Sequence, residues 1–277
     1  MRKVTTGVAV AVVIAVAAAV LVDVGAAIRA EHRFAVAVRS GSGLSFDPEI
    51  TIGGFPFLRA AADHRYPQVG ITARGVVVGS CHDGVLCRGD LRSALTDVRT
   101  DGATVTSRSS MRVSRVSGSL TIDSVNLGRF LDIIDLTVTT PAPRDEPGGG
   151  GPVDGNLSAS SGILLTGTVP VPRTGRDAAA KVSVVADLSV VGGALRVQAT
   201  GFYRGPEEHV TADVPDGSRA AVLAAFTRTL PVLPLPWGIV ATSAHTEGSD
   251  VTVAGDDLGP TTLYPTDFVS ARPTADR

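Results

Sequence analysis

Apolar residues recur along this chain with two periods, and the two sort it into helices and strands. Over residues 23–39 the spacing is helical. Val24, Ala27, Ile28, Glu31, Phe34, Ala35 and Val38 share one face, and Arg29, His32, Arg33 and Val36 fall on the other. Glu31 is the only charge in the apolar stripe. A buried carboxylate needs a partner, which is either an Arg or backbone N–H groups of a sheet, or a ligand head group at the mouth of a groove. Elsewhere the period is two, as expected for half-buried strands. Ile50 and Ile52 alternate with Thr51, and Val69, Ile71 and Ala73 with Thr72 and Arg74. Further strands are predicted over residues 76–78, 91–99, 111–113, 163–169, 182–190, 195–199, 239–244 and 251–254, with another beginning at 120–122. Asp101-Gly102, Gly192-Gly193 and Glu247-Gly248 supply turns. Leu127, Phe130, Leu131 and Ile134 suggest a short helix over 127–136. A second helix is predicted over 219–230, capped by Asp216-Gly217-Ser218 and ended by Pro231, with Val222, Leu223, Phe226 and Leu230 inward and Arg228 outward.

The fold class that follows is α+β. A long curved antiparallel sheet wraps an N-terminal helix and a shorter C-terminal helix, and helix and sheet leave an apolar cleft between them. Residues 141–155, PAPRDEPGGGGPVDG, read as a flexible loop within a single domain over 28–264, and residues 265–277 as a loose polar tail.

The stretch over residues 50–75 organises the rest. Strand, double glycine (Gly53, Gly54), apolar knuckle (Phe55, Pro56, Phe57, Leu58), then a return at Tyr66-Pro67 into a second strand. Four adjacent apolar residues are costly at a surface unless something covers them. A second proline-stiffened apolar segment, Leu233-Pro234-Leu235-Pro236-Trp237, lies near the C-terminus and must be extended over 232–236. Each segment either plugs an end of the core, or lines the mouth of an acyl-chain groove and dips into a bilayer. Trp237 and Tyr66 suit a lipid–water interface. Arg59 and Arg65 flank the first segment and are candidates for a lipid phosphate. Glu31, Phe34 and Phe226, on the helix faces turned to the cleft, complete the candidate ligand set with Phe55, Phe57, Leu58, Leu235 and Trp237.

GGFPFL followed by Y-P-x-V, together with Ala30-Glu31 and the Leu233-to-Ile239 segment, resembles the LmeA-like phospholipid-binding family of actinobacterial cell-envelope proteins. The resemblance runs from about Ala30 to Gly255. It implies a tubular, TULIP-like lipid-binding fold, phospholipid as ligand, and a supporting role in envelope glycolipid assembly, with an envelope glycosyltransferase or scaffold as possible protein partner.

The N-terminus fits an extracytoplasmic protein. Met1-Arg2-Lys3 is basic, and residues 7–22 are uncharged and apolar. That run is either a signal-peptide core within residues 1–27, with cleavage near 17–19 or 26, or a retained membrane anchor oriented N-terminus-in. Cys81 and Cys87 are the two cysteines and bracket Asp83-Gly84, which makes a disulfide across a hairpin the expected pairing outside the cytoplasm. The chain of 277 residues is 44% hydrophobic but 4% aromatic, so its core is aliphatic. A net charge of −2 gives no basic field for nucleic acid. No G-x-S-x-G, H-E-x-x-H or Walker pattern occurs, and the five histidines are scattered. Glu207-Glu208-His209 follows Gly205-Pro206 and reads as a solvated turn. The sequence reading is a non-catalytic phospholipid-binding protein without metal or cofactor, acting at a membrane surface outside the cytoplasm. The alternative is a membrane-tethered scaffold domain with a filled core.

Overall fold

The structure is a computed structural model, and it describes residues 2–81, 84–102, 104–139, 162–172, 178–203 and 214–269, with side chains from Val10 onward. Helix α1 (Arg2–Ser42) leads into β1 (Glu49–Gly53), α2 (Phe57–Ala62), β2 (Arg65–Ser80), β3 (Leu86–Thr100), β4 (Met111–Val113) and β5 (Arg115–Ile122). Then come α3 (Ser124–Leu131), β6 (Thr137–Thr139), β7 (Gly162–Val171), β8 (Ala178–Val191), β9 (Ala194–Phe202), α4 (Arg219–Ala225) and β10 (Arg228–Val232). β11 (Ser243–Glu247), β12 (Asp250–Asp257) and β13 (Thr261–Leu263) complete the chain of elements. The class is α+β with a long N-terminal helix and antiparallel sheets, as the alternating pattern predicts.

Two compact units emerge, and neither is continuous in sequence. The first holds residues 1–73, 92–117 and 257–269; the second holds 74–91, 118–256 and 270–277. β2, β3 and β5 each contribute one part to each unit, so the division falls inside strands. The 141–155 loop, Glu207-Glu208-His209 and residues 270–277 lie outside the described residues.

In the first unit β1 pairs antiparallel with β2, from Glu49↔Thr72 to Gly53↔Gln68. β4 joins the end of β3 to β13. Phe34, Ala35, Ala37 and Val38 of α1 are buried, but Val24 and Ile28 are exposed, so the apolar stripe is covered only along its C-terminal half. The helix end is held by close approach. A Cβ on Gly41 would stand 2.9 Å from the backbone of Thr266. Residues 265–267 therefore form a 3₁₀ turn, and Phe268 is fully buried. Order thus extends past the predicted start of a loose tail at 265, where the buried Phe268 and Pro265 anchor the chain.

The second unit contains the five-stranded sheet β10-β9-β8-β7-β6, together with the second-unit parts of β2, β3 and β5, then β12 and β11. The predicted C-terminal helix is shorter than its pattern. Arg219–Ala225 is helical, but Thr227 leaves it: its hydroxyl accepts from the Ala199 N–H at 3.1 Å, and Arg228–Val232 pairs with β9 instead. Leu230 is thus a strand residue. Pro231 sits on an edge strand, where its missing N–H costs nothing, rather than terminating a helix. Arg228 does not point free, since its guanidinium donates to the Phe130 carbonyl at 2.7 Å. α3 starts earlier than predicted because the Asp123 carboxylate accepts from the Asn126 N–H at 2.7 Å, and it ends at Asp132 in the left-handed region. The strand predicted to begin at 120 instead ends at Ile122, and residues 239–242 precede β11 rather than belonging to it.

Gly75, at φ +64°, shifts the inward positions of β2 from 69, 71 and 73 to 76 and 78. Cys81 and Cys87 are joined by a disulfide, with Cα atoms 5.6 Å apart at the β2–β3 turn.

Candidate functional site

The 50–75 stretch folds as a clamp whose parts explain one another. Gly54 adopts φ +115°, and a Cβ there would stand 3.1 Å from Pro67 Cδ. The double glycine and the Tyr-Pro of the return are therefore two sides of one contact. The Phe55–Pro56 peptide is cis. Phe57 then starts a helix, α2, where the sequence pattern predicts only an apolar knuckle. Its ring stacks on Tyr66 with centroids 6.0 Å apart and planes at 22°. Both rings are buried, whereas Phe55 and Leu58 are 74% and 47% exposed. One motif thus turns half its apolar residues inward and half outward.

α2 has no cap of its own, because Pro56 precedes it and offers no side-chain acceptor. The cap comes from far away in sequence. Asp23 of α1 is 5% exposed, and its two carboxylate oxygens accept from the N–H groups of Phe57 and Leu58, both at 2.8 Å. Two helical turns further on, Glu31 Oε1 accepts from the Ile52 N–H at 2.9 Å. The charge in the apolar stripe is thus answered by a sheet N–H. Sequence reasoning missed Asp23 altogether. Its only signal was its position as the first charge after the apolar run.

Between α1, α2 and the strands lies a cavity of about 320 Å³, lined entirely by first-unit residues. Ala26, Ala30, Phe34, Phe57, Ala61, Tyr66, Val69 and Val98 give it an apolar wall. Arg29, Arg33, Thr100 and Thr104 supply the polar part. Burial pushes the pKa of the Tyr66 phenol above its ordinary value, so the hydroxyl stays neutral. Thr100 hydroxyl donates to the Gly102 carbonyl at 2.8 Å.

Of the candidate residues, Phe34, Phe57 and Tyr66 line this cavity, and Glu31 braces Ile52, another wall residue. Arg59 and Arg65 are not among the wall residues. Arg65 is instead tied to Asp97 at 2.7 Å, an acid that Arg99 also approaches at 3.8 Å. Arg29 and Arg33, assigned by periodicity to the outer face, do line it. The reason is that the row 26, 29, 30, 33 flanks the buried row 34, 35, 38, and a helix presents both rows to a wide groove. Phe226 and Leu235 are buried in the second unit, and Trp237 is half-buried there in a 3₁₀ turn at φ +53°. Leu233, Leu235 and Pro236 of the second proline-rich segment are buried there, and none of them lines this cavity. Among the described residues no group of three His, Cys, Asp or Glu gathers as a metal site would require.

An apolar pocket carrying two cations beside an apolar helix is suited to an amphiphile. A sequence profile described as LmeA-like phospholipid-binding matches residues 21–256, while no curated protein and no solved structure matches the chain. The profile spans both carboxylate braces, the glycine–proline clamp and every wall residue of the cavity, and the chain belongs to the LmeA-like phospholipid-binding family.

Proposed function

We propose that this protein is a non-catalytic phospholipid-binding protein held at the outer face of the plasma membrane. It takes part of a lipid's hydrocarbon into the first-unit cavity and supports envelope lipid or glycolipid assembly. The observation that carries the reading is the void itself. A pocket of about 320 Å³ persists where packing would otherwise close it, and its wall is largely apolar.

Size sets what it holds. With a methylene taken as close to the ~30 Å³ share of a water molecule, the void takes roughly ten methylenes, less than one full acyl chain. Removing ten methylenes from water would contribute about 8 kcal/mol. A lipid already in a bilayer gains almost none of that, because its tails are dry there too. The protein therefore grips a lipid partly drawn from the leaflet, with the remaining hydrocarbon left in the membrane.

Retention of α1 as an anchor fits this mode. α1 is a single helix over Arg2–Ser42, long and apolar enough to cross a membrane, and its residues from Val10 to Val22 are exposed. Asp23, the first charge beyond that run, is pinned to Phe57 and Leu58. The exposed Phe55 and Leu58 thus sit at the level where the span ends, in position to dip into the interface. Cleavage at 26 would remove the α2 cap. The disulfide accords with an oxidising compartment.

Native mass spectrometry of the full chain, purified in mild detergent, tests the reading. Co-purifying phospholipid is expected. Bare protein under conditions that preserve lipid on a known carrier would favour a scaffold role.

A further inference from the structure

We infer that Arg29 and Arg33 form the phosphate site of the cavity and select lipids whose head group is net anionic and carries no ammonium. The inference rests on the lipid-binding reading and names the chemistry of its ligand. The two residues are one turn apart on α1 and both line the cavity. That spacing brings their Cβ atoms to about 5–6 Å, close enough for two guanidinium groups to share one phosphate. Like charges at this spacing repel and destabilise a helix. Nothing on the helix relieves them. Positions 25, 26, 30, 32, 36 and 37, three or four residues from one or the other, are Gly, Ala, Ala, His, Val and Ala. Both arginines are exposed, and neither is in an ion pair among the described residues. An anion bound between them would remove the repulsion.

The cavity is as informative in what it lacks. Among the described residues no carboxylate lines it: the wall is apolar apart from the two arginines, Thr100, Thr104 and the Tyr66 hydroxyl. The nearest acids on α1, Asp23 and Glu31, are spent on backbone N–H groups. A choline or ethanolamine ammonium would therefore enter a positive field with no counter-charge. A glycerol or polyol head group would meet only hydrogen-bonding partners. Height agrees as well. Arg29 lies about 9 Å along the helix from Asp23, and helical side chains lean toward the N-terminus. Its guanidinium thus reaches back toward the head-group layer at the end of the span.

The test uses the full chain in mild detergent with equimolar dioleoyl-phosphatidylglycerol and dioleoyl-phosphatidylcholine, with bound lipid read by native mass spectrometry. Wild type is expected to retain the glycerol lipid preferentially. The double variant Arg29→Gln, Arg33→Gln should lose about tenfold of it, the equivalent of one strong charge-assisted contact, and should lose the preference while melting as wild type. Arg112→Gln, which removes an exposed charge from β4 of the same unit, should change nothing. If the double variant loses its cooperative melt, each single variant is scored by the same ratio. Equal retention of both lipids by wild type, or an unchanged ratio in the variants, overturns the assignment. So does a drop produced by Arg59→Gln in their place. Failure of wild type to retain either lipid would instead bring down the lipid-binding reading beneath it.

Discussion

Asp23→Ala isolates the contact on which the cavity wall depends. The substitution deletes both acceptors at the start of α2. Phe57 is buried, so its N–H would have no water to replace the carboxylate. A hydrogen bond to a charged group is worth about 1.5–3 kcal/mol. Leu58 is half-exposed and can recruit water, so its loss is smaller, about 0.5–1 kcal/mol on the same scale. Removing a buried carboxylate also relieves some desolvation cost. The net expectation is a loss of about 2–3 kcal/mol. For a chain of this size that is a fall in Tm of about 4–12 °C. Because α2 carries Phe57 and Ala61 into the wall, bound lipid should fall in parallel. Thermal melting of the full chain in detergent, with hydrogen exchange at Phe57 and Leu58, provides the assay. A Tm within about 1 °C of wild type, with protection at both amides intact, would refute the capping role and the argument against cleavage at 26.

Further consequences are open to measurement. Glu31→Gln keeps an acceptor for Ile52 and should cost about 1 kcal/mol or less, whereas Glu31→Ala should cost about 1.5–3 kcal/mol and weaken lipid retention; equal melting of all three proteins would mean the bond is idle. Gly54→Ala combines a φ of +115° with a Cβ 3.1 Å from Pro67, and chemical denaturation should register a loss of at least about 1 kcal/mol; an unchanged midpoint would contradict the clamp. Replacing both cysteines by serine should cost no more than about 2 kcal/mol, since the bridge closes a short loop; loss of folding would give it a larger role than pinning a turn. Burial pushes the Asp135 carboxyl up, but the Thr168 N–H and hydroxyl and Lys181 outweigh it and hold it below the ordinary aspartate value. Its contribution to stability is present above the unfolded carboxylate range and is lost as pH falls through the lowered value. A carboxyl NMR titration placing Asp135 at or above the ordinary aspartate value would contradict that balance.

Much of the fold was legible because alternation is a strong signal where one sheet face is dry. β1, β2, β7, β8 and β9 lie where the pattern put them. What the pattern could not give were decisions made by tertiary partners. α2 is too short to announce itself and lacks a local cap; it exists because Asp23 reaches it from another element. The last residues of the predicted C-terminal helix became β10 because β9 offered an edge and Thr227 a hydroxyl at the right place. The site was half legible for a related reason. Phe34, Phe57 and Tyr66 are large and apolar, and they attract notice in a chain with few rings. Helical periodicity puts Arg29 and Arg33 on the outer face, because a helical wheel assigns a residue to core or solvent and has no category for the wall of a void. Leu233 and Leu235 looked equally suited to a groove, but they are buried in the core of the second unit.

The central claim is that the void holds hydrocarbon. Ala30→Trp would push an indole into it from α1 and leave too little room for the roughly ten methylenes it otherwise takes. If the claim is right, the variant melts at or above wild type and native mass spectrometry finds it stripped of the phospholipid that wild type carries. A folded Ala30→Trp protein that carries as much lipid as wild type would place the lipid elsewhere and contradict the account.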